Sequence, residues 1–261
     1  MKYAVTQGQR GEAEPGLTGA CPSCGHAMIA KCGELKIWHW AHSGKRICDP
    51  WWENETEWHR KWKAHFPKDW QEFVQRAEDG EKHIADVKTE QGYVIEFQHS
   101  HIKPEERQAR EDFYKKMLWI VDGTRRVRDK DKFLDGCEFA GRIDGRDDLR
   151  ASPGGGALLR DWGDRTVPVL FDFGDDHLWG LLPKTQEGRE YGFRVERNAV
   201  IEALHPSAES KSSFDGLLRG FIGTISAHEW HLKLMRERSF RDPLQGFHLP
   251  NNRYSSRRRS F

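Results

Sequence analysis

The chain has no run of apolar residues approaching the length of a membrane span, so nothing in it reads as a transmembrane segment. Its opening, MKYAVTQGQRGEAEPG, lacks the apolar centre of a secretory signal. Cysteine is scarce and odd in number, five in 261 residues. That argues against a disulfide framework and predicts a cytoplasmic, reducing home. Net charge is scarce too: 42 Lys and Arg against 41 Asp and Glu leave +1. No global basic field announces a nucleic-acid partner, and any such partner must be met by local patches.

What the chain does have is charge of both signs and many aromatic rings. Charged residues make up 32% and the mean hydropathy is −0.84, the profile of a strongly hydrated surface. Eleven Trp and fourteen Phe nevertheless exclude wholesale disorder. The length suffices for one large or two modest cores. Composition shifts divide the chain into a Cys- and His-rich lobe over 1–50, a helix–hairpin–helix–strand region over 51–135, and a remainder over 136–261. The charged, Gly-rich stretch DGRDDLRASPGGGALLRDWGD marks the expected linker, and NNRYSSRRRSF is a basic tail. The expected fold class is α/β or α+β: a mixed sheet flanked by helices, with a small N-terminal lobe and a C-terminal extension.

In the first lobe, CPSCGHAMIAKCGELKIWHWAH sets Cys21 and Cys24 in a Cys-x-x-Cys knuckle and His39 and His42 in a second pair. Such a knuckle supplies two thiolates to one corner of a tetrahedron, and a returning pair closes it, so a structural Zn²⁺ is expected. Cys32 and Cys48 are the spare ligands if one histidine is not used. Unmetallated thiols and packed histidines are the competing reading.

In the second region, IADVKTEQGYVIEFQHS reads as a hairpin with strands over 82–88 and 93–99, closed at Glu90, Gln91 and Gly92. Alternation places Asp86 beside Glu96, with Gln98 on the same face as Glu96. Two carboxylates that close repel unless a cation lies between them, and oxygen ligands favour Mg²⁺ or Mn²⁺. The stretch ENETEWHRKWKAHF reads as a helix with Glu55, His59 and Lys63 on one stripe, and Trp58 and Trp62 on another that faces the core. A polar outer hairpin face and a solvated helix face explain the same residues, and spacing alone does not separate the two readings.

Taken together, CPSC, HWAH, ETEWHRKWK, ADV, IEFQHSHI, an Arg-rich helix ending in FY, and LWIVDG resemble the competence protein CoiA-like family over roughly residues 20–125. That resemblance implies a zinc-ribbon-like region joined to a restriction-endonuclease-like nuclease domain of the PD-(D/E)XK type. It makes Asp86 and Glu96 the carboxylates that bind the catalytic metal. Gln98 then stands where most relatives of the fold carry lysine, and Glu55, His59 and Lys63 match the helix motif. An amide can orient water but cannot take its proton, so another group or the metal alone must handle it: Lys63, ahead of Lys88, is expected to supply the missing ammonium, and His59 to shuttle protons. Ser100, Arg107 and Tyr114 fall on the segment that follows.

The expected activity is Mg²⁺- or Mn²⁺-dependent hydrolysis of DNA phosphodiesters, in DNA uptake and recombination or in defence against foreign DNA. Lys103, Arg107, Arg110, Arg125 and Arg126 are the expected DNA contacts, with a solvated charged surface as the plain alternative. A non-catalytic nucleic-acid-binding or adaptor protein on a lapsed nuclease fold is the competing function, favoured by Gln98. A protein partner is a further expectation for the C-terminal region, from the apolar stretches WGLLPK and DGLLRGFIG.

Overall fold

The Cys- and His-rich lobe and the rest of the chain build separate sheets. The computed structural model describes residues 1–44, 48–51, 53–151, 156–210 and 212–241; the basic tail and part of the Gly-rich stretch lie outside them. The lobe holds strands β1 (Tyr3–Thr6), β2 (Gln9–Glu12), β3 (Thr18–Ala20), β4 (Ala27–Lys31) and β5 (His39–His42), ordered β2-β1-β3-β4-β5 and antiparallel throughout. The second sheet has nine strands: β6 (Gln71–Arg76), β7 (Lys82–Lys88), β8 (Val94–Gln98), β9 (Met117–Asp122), β10 (Gly141–Arg142), β11 (Leu149–Ala151), β12 (Val169–Asp172), β13 (His177–Leu181) and β14 (Tyr191–Glu196). Their order is β10-β11-β14-β13-β12-β9-β8-β7-β6. The class is mixed α+β, as expected.

Strand β9 runs parallel to both β8 and β12. Its sequence, MLWIVD, is buried at every position, as a central strand with parallel neighbours on each side requires. Six helices cover the sheet: α1 (Glu57–Lys63), α2 (Pro104–Tyr114), α3 (Asp129–Phe139), α4 (Gly156–Asp161), α5 (Arg197–Leu204) and α6 (Phe214–Arg241). Trp62, Leu204 and Phe221 bring α1, α5 and α6 onto one face, over Ile95, Phe97, Ile120 and Leu170. Tyr114, Phe133 and Leu158 bring α2, α3 and α4 onto the other, over Trp119, Val169 and Phe171.

This arrangement corrects the expected boundary near residue 136. Strands β10 to β14 complete the same sheet that holds the hairpin, and β9 hydrogen-bonds to β12 across it. The linker stretch itself contributes β11 and α4, with Arg150 buried against the Cys137 carbonyl. The apolar stretches expected to meet a partner are mostly core. Trp179 and Leu181 are buried in β13 and Leu182 just after it, and Leu218 and Phe221 are buried on α6; Ile222 and Trp230 stay exposed. Among the described residues no helix is long and apolar enough to cross a membrane.

The hairpin forms as its sequence directs. Gly92 takes a left-handed φ of 79° and its N–H donates to the Thr89 carbonyl at 2.9 Å, closing the turn. The register pairs Val87 with Ile95 and Lys88 with Val94, which sets Asp86 opposite Glu96.

Candidate functional site

The metal-ligand cluster of the lobe differs by one residue from the expected set. The sulfurs of Cys21, Cys24 and Cys48 and a ring nitrogen of His42 lie within 4.8 Å of one another, the one such group of three or more ligand atoms among the described residues. Cys24 Sγ lies 3.3 Å from His42 Nε2, and Cys21 Sγ 3.8 Å from Cys48 Sγ. His39 is not among them, and its Nδ1 meets the Ile37 carbonyl at 2.9 Å. The reason is strand geometry: His39 and His42 are three positions apart on β5, and an odd offset sends their side chains to opposite faces. Cys48 closes the site from the segment after β5. Burial would raise the Cys24 thiol, but hydrogen bonds from the His26 backbone, His42 and the other two cysteines outweigh it and bring it down to about 6.

Three thiolates and one imidazole with no place left over are the donor set of a structural zinc. Cys48→Ser should therefore lower zinc content and affinity by at least ~10-fold, while His39→Ala leaves one zinc per chain. Metal analysis of the two purified variants, with a chelator competition, checks this; the reverse ranking would restore His39.

The lobe is anchored to the large sheet beside Cys48. Asp49 accepts from the Ile84 N–H at 2.7 Å and pairs with His83 Nδ1 at 2.9 Å, and Lys82 Nζ donates to the Ser23 carbonyl at 2.8 Å. A second anchor is Glu72, whose carboxylate accepts from the backbone N–H groups of Lys2 and Tyr3 at 2.6 and 3.0 Å. Glu72 has a φ of 46°, in the left-handed region that a non-glycine residue adopts at a cost.

Between these anchors β7 and β8 part, and the parting holds the carboxylate pair. Glu96 Oε1 accepts from the Asp86 N–H at 3.3 Å, and Asp86 Oδ2 accepts from the Phe97 N–H at 3.0 Å. The two side chains thus occupy hydrogen-bonding positions that an unbroken ladder would give to carbonyls. Burial, and then the negative charge of Asp86, push Glu96 up to about 8, against the pull of Arg110 at 2.9 Å. Asp86 stays below the ordinary carboxylate range because Lys63 and the Phe97 N–H outweigh its burial.

The helix that supplies Lys63 is shorter than expected. Thr56 caps it, accepting from the His59 N–H, while His59 Nδ1 accepts from the Thr56 N–H at 3.1 Å. Glu55 therefore precedes the helix and does not share its stripe, yet it folds back to Arg60 at 3.0 Å and Lys63 at 3.2 Å. Lys63 is 3% exposed, with its ammonium 2.8 Å from Asp86, 3.2 Å from Glu55 and 3.9 Å from Glu72. Burial would lower its pKa, but Asp86, Glu55 and Glu72 together hold it above the ordinary lysine value. A lysine so held remains charged and cannot accept a proton.

The expected shuttle role of His59 fails on the same ground of occupancy. Its Nε2 donates to the Phe97 carbonyl at 2.9 Å, and Nδ1 is taken by Thr56. Burial lowers its pKa more than Asp86 and Glu53 raise it. His59 is a neutral brace between α1 and β8. Gln98 is turned out of the pocket: its amide N–H₂ donates to Glu53 at 2.9 Å and to the Ser100 carbonyl at 3.1 Å. Glu53 also accepts from the Ser100 N–H, a role with no signal in the local sequence.

The expected DNA contacts divide by burial. Arg107 is buried against the Asp161 carbonyl and the Trp162 ring. Arg110 is the buried counter-ion of Glu96 and also meets Glu106 and the Trp51 carbonyl. Both are removed from the candidate nucleic-acid surface. Lys103 and Arg125 are exposed, whereas Arg126 is half-buried and paired with Asp129 and Asp161.

Residues 19–50 match the family model of the competence protein CoiA N-terminal domain. The matched segment contains every member of the Cys₃His cluster. The lobe is thus similar to the CoiA N-terminal domain, and the match supports a CoiA-like reading of the chain while ending before the carboxylate pair. No curated protein and no solved structure matches the chain.

Proposed function

We propose that the chain is a metal-dependent deoxyribonuclease: a restriction-endonuclease-like core that hydrolyses DNA phosphodiesters, with a zinc-holding lobe against it. The observation that carries this reading is the pair of half-buried Asp86 and buried Glu96 in the parted hairpin, with Glu55 and Glu72 turned toward the same place. The donors are hard oxygens, and the Lys63 ammonium already held among them supports a cation at this place. Asp86 and Glu96, with Glu55 beside them, would hold Mg²⁺ or Mn²⁺, which supplies a water of lowered pKa and neutralises charge on the phosphate.

The chain's own residues do the rest. Arg110 and the Asp86 N–H fix the Glu96 carboxylate, and His59 braces β8 against α1. Gln98, through Glu53, shapes the strand end at Ser100. Lys103 and Arg125 are exposed and would supply positive charge to DNA phosphates. Similarity of the lobe to the CoiA N-terminal domain supports a competence-related setting, DNA uptake or recombination. Defence against foreign DNA would call on the same chemistry.

A second reading, a non-catalytic DNA-binding adaptor, has an observation in its favour. Lys63 and Arg110 already neutralise both carboxylates, and the carboxylate oxygens are spread around Lys63 instead of meeting at one point. One assay separates the two. Wild type and Asp86→Ala are incubated with linear, circular and single-stranded DNA in Mg²⁺, Mn²⁺ or EDTA. We expect metal-dependent cutting that falls ~10²- to 10³-fold in the variant, the scale on which loss of one charge-stabilising group acts. DNA binding without cutting, unchanged in Asp86→Ala, would instead establish the adaptor.

A further inference from the structure

In the carboxylate pocket Lys63 stays charged, both His59 ring nitrogens are bonded, the Gln98 amide donates to Glu53, and the carboxylates are the groups assigned to the metal. A histidine just outside it is differently placed. His99 follows the last residue of β8, and the β8–β9 register that pairs Gln98 with Val121 sets it beside Asp122. His99 Nδ1 and Asp122 Oδ2 are 2.8 Å apart. Asp122 is itself fixed, its other oxygen accepting from the Thr124 N–H and hydroxyl at 2.8 and 2.6 Å. The Asp122 side chain is 4% exposed and that of His99 34%. With Nδ1 bonded to the carboxylate, Nε2 has no partner among the described residues and is left for solvent or substrate.

The position suits a substrate. The dyad lies at the C-terminal ends of two adjacent parallel strands, where open sheets form ligand crevices. Ser100, Arg125 and Arg126 line the same crevice. The crevice adjoins the carboxylate pocket: the His99 and His59 rings are 6.1 Å apart, and Glu53, which borders that pocket, holds Ser100.

We infer that His99, oriented by Asp122, is the general base of the hydrolysis, an inference that rests on the nuclease reading above. A buried carboxylate on Nδ1 fixes the tautomer and stabilises the imidazolium that forms, the division of labour seen in His–Asp pairs elsewhere. The proton of the attacking water passes to Nε2, directly or across one further water, as the water oxygen bonds to phosphorus. The P–O bond to the leaving oxygen breaks with its electron pair, that oxygen takes a proton from solvent, and the imidazolium returns its own. Asp122 acts as a positioning residue. The groups that face the imidazole are Asp122 from β9, His59 and the Trp58 ring from α1, and His101, Arg125, Arg126, Asp129 and Asp161 around the crevice.

The test uses the full chain with Mn²⁺ and linear DNA, across pH 5 to 9. The wild-type rate across that range is the reference profile. His99→Gln should cut ~10²-fold more slowly, the usual scale of general-base loss. Its residual rate should rise steadily with hydroxide, while DNA affinity in EDTA and melting temperature stay at wild type. Added imidazole should restore part of the rate to His99→Gly. Asp122→Asn should share the altered pH profile, and nitrogen NMR of the neutral His99 ring should show the Nδ1–H tautomer in wild type but not in Asp122→Asn. If His99→Gln keeps the wild-type rate and profile while Asp86→Ala abolishes cutting, the base assignment is overturned and the nuclease stands. If wild type cuts nothing, both fall together.

Discussion

Asp172→Ala is expected to destabilise the whole fold although Asp172 belongs to no catalytic set. One carboxylate, 3% exposed at the end of β12, joins the C-terminal half to the helix that carries Lys63. Its Oδ2 accepts from the indole N–H groups of Trp58 and Trp62 at 3.0 and 2.8 Å and from Arg197 at 2.9 Å. Its Oδ1 accepts from a second Arg197 nitrogen and from the Gly174 N–H at 2.8 Å. Alanine would leave two indoles without their acceptor and Arg197 with only the Asp175 carbonyl, which costs about 3–5 kcal/mol for a buried pair broken on one side. In a chain of this size that corresponds to a fall of roughly 10 °C in melting temperature.

Asp172→Asn keeps the shape and tests the charge. Burial would raise the Asp172 pKa, but Arg197 and its other donors bring it below the ordinary carboxylate value. Its contribution is therefore complete above that ordinary value and is lost as pH falls through the lowered one. The stability difference between wild type and Asp172→Asn should shrink as pH is taken from 5 toward 2. A difference constant across that range would show that the indole bonds, and not the ion pair, hold α1.

How much of this was legible in the sequence follows the range of the contacts. The hairpin, its turn at Gly92 and the meeting of Asp86 with Glu96 depend on neighbours ten positions apart, and alternation alone places them. The Trp58 and Trp62 stripe was readable as a core-facing surface, but its acceptor lies 114 and 110 positions away and no local pattern announces it. Cys48 was visible only as a spare ligand. The odd spacing of His39 and His42 was the available signal against using both, had the segment been recognised as a strand. Arg107 and Arg110 looked like phosphate contacts because charge reads as surface; each is buried by partners from other elements. The C-terminal half could not be seen as part of the sheet, because its pairing with β9 is a parallel contact made across a helical crossover. Glu72 left no trace, since its role is to accept two backbone N–H groups from the start of the chain.

The second large effect is expected at Lys63. Methionine keeps the apolar stem but removes the ammonium that pairs with Asp86, Glu55 and Glu72. Those carboxylates would then face one another with too little positive charge, so Lys63→Met should lose about 3–5 kcal/mol in EDTA. The Lys63 pKa is raised in the folded chain, so its contribution is complete below the unfolded lysine value and is lost only as pH rises through the higher folded one. The deficit should accordingly be constant between pH 6 and 9. Divalent metal changes the comparison, because in wild type a metal must compete with the ammonium, whereas in the variant the carboxylates are left waiting for a cation. A ligand at about a hundred times its Kd adds roughly 2.7 kcal/mol. Mn²⁺ should therefore raise the melting temperature of Lys63→Met more than that of wild type, and should raise that of Lys63→Met/Asp86→Ala hardly at all. Equal shifts in all three proteins would place the metal away from these carboxylates and remove the ground on which the nuclease reading stands.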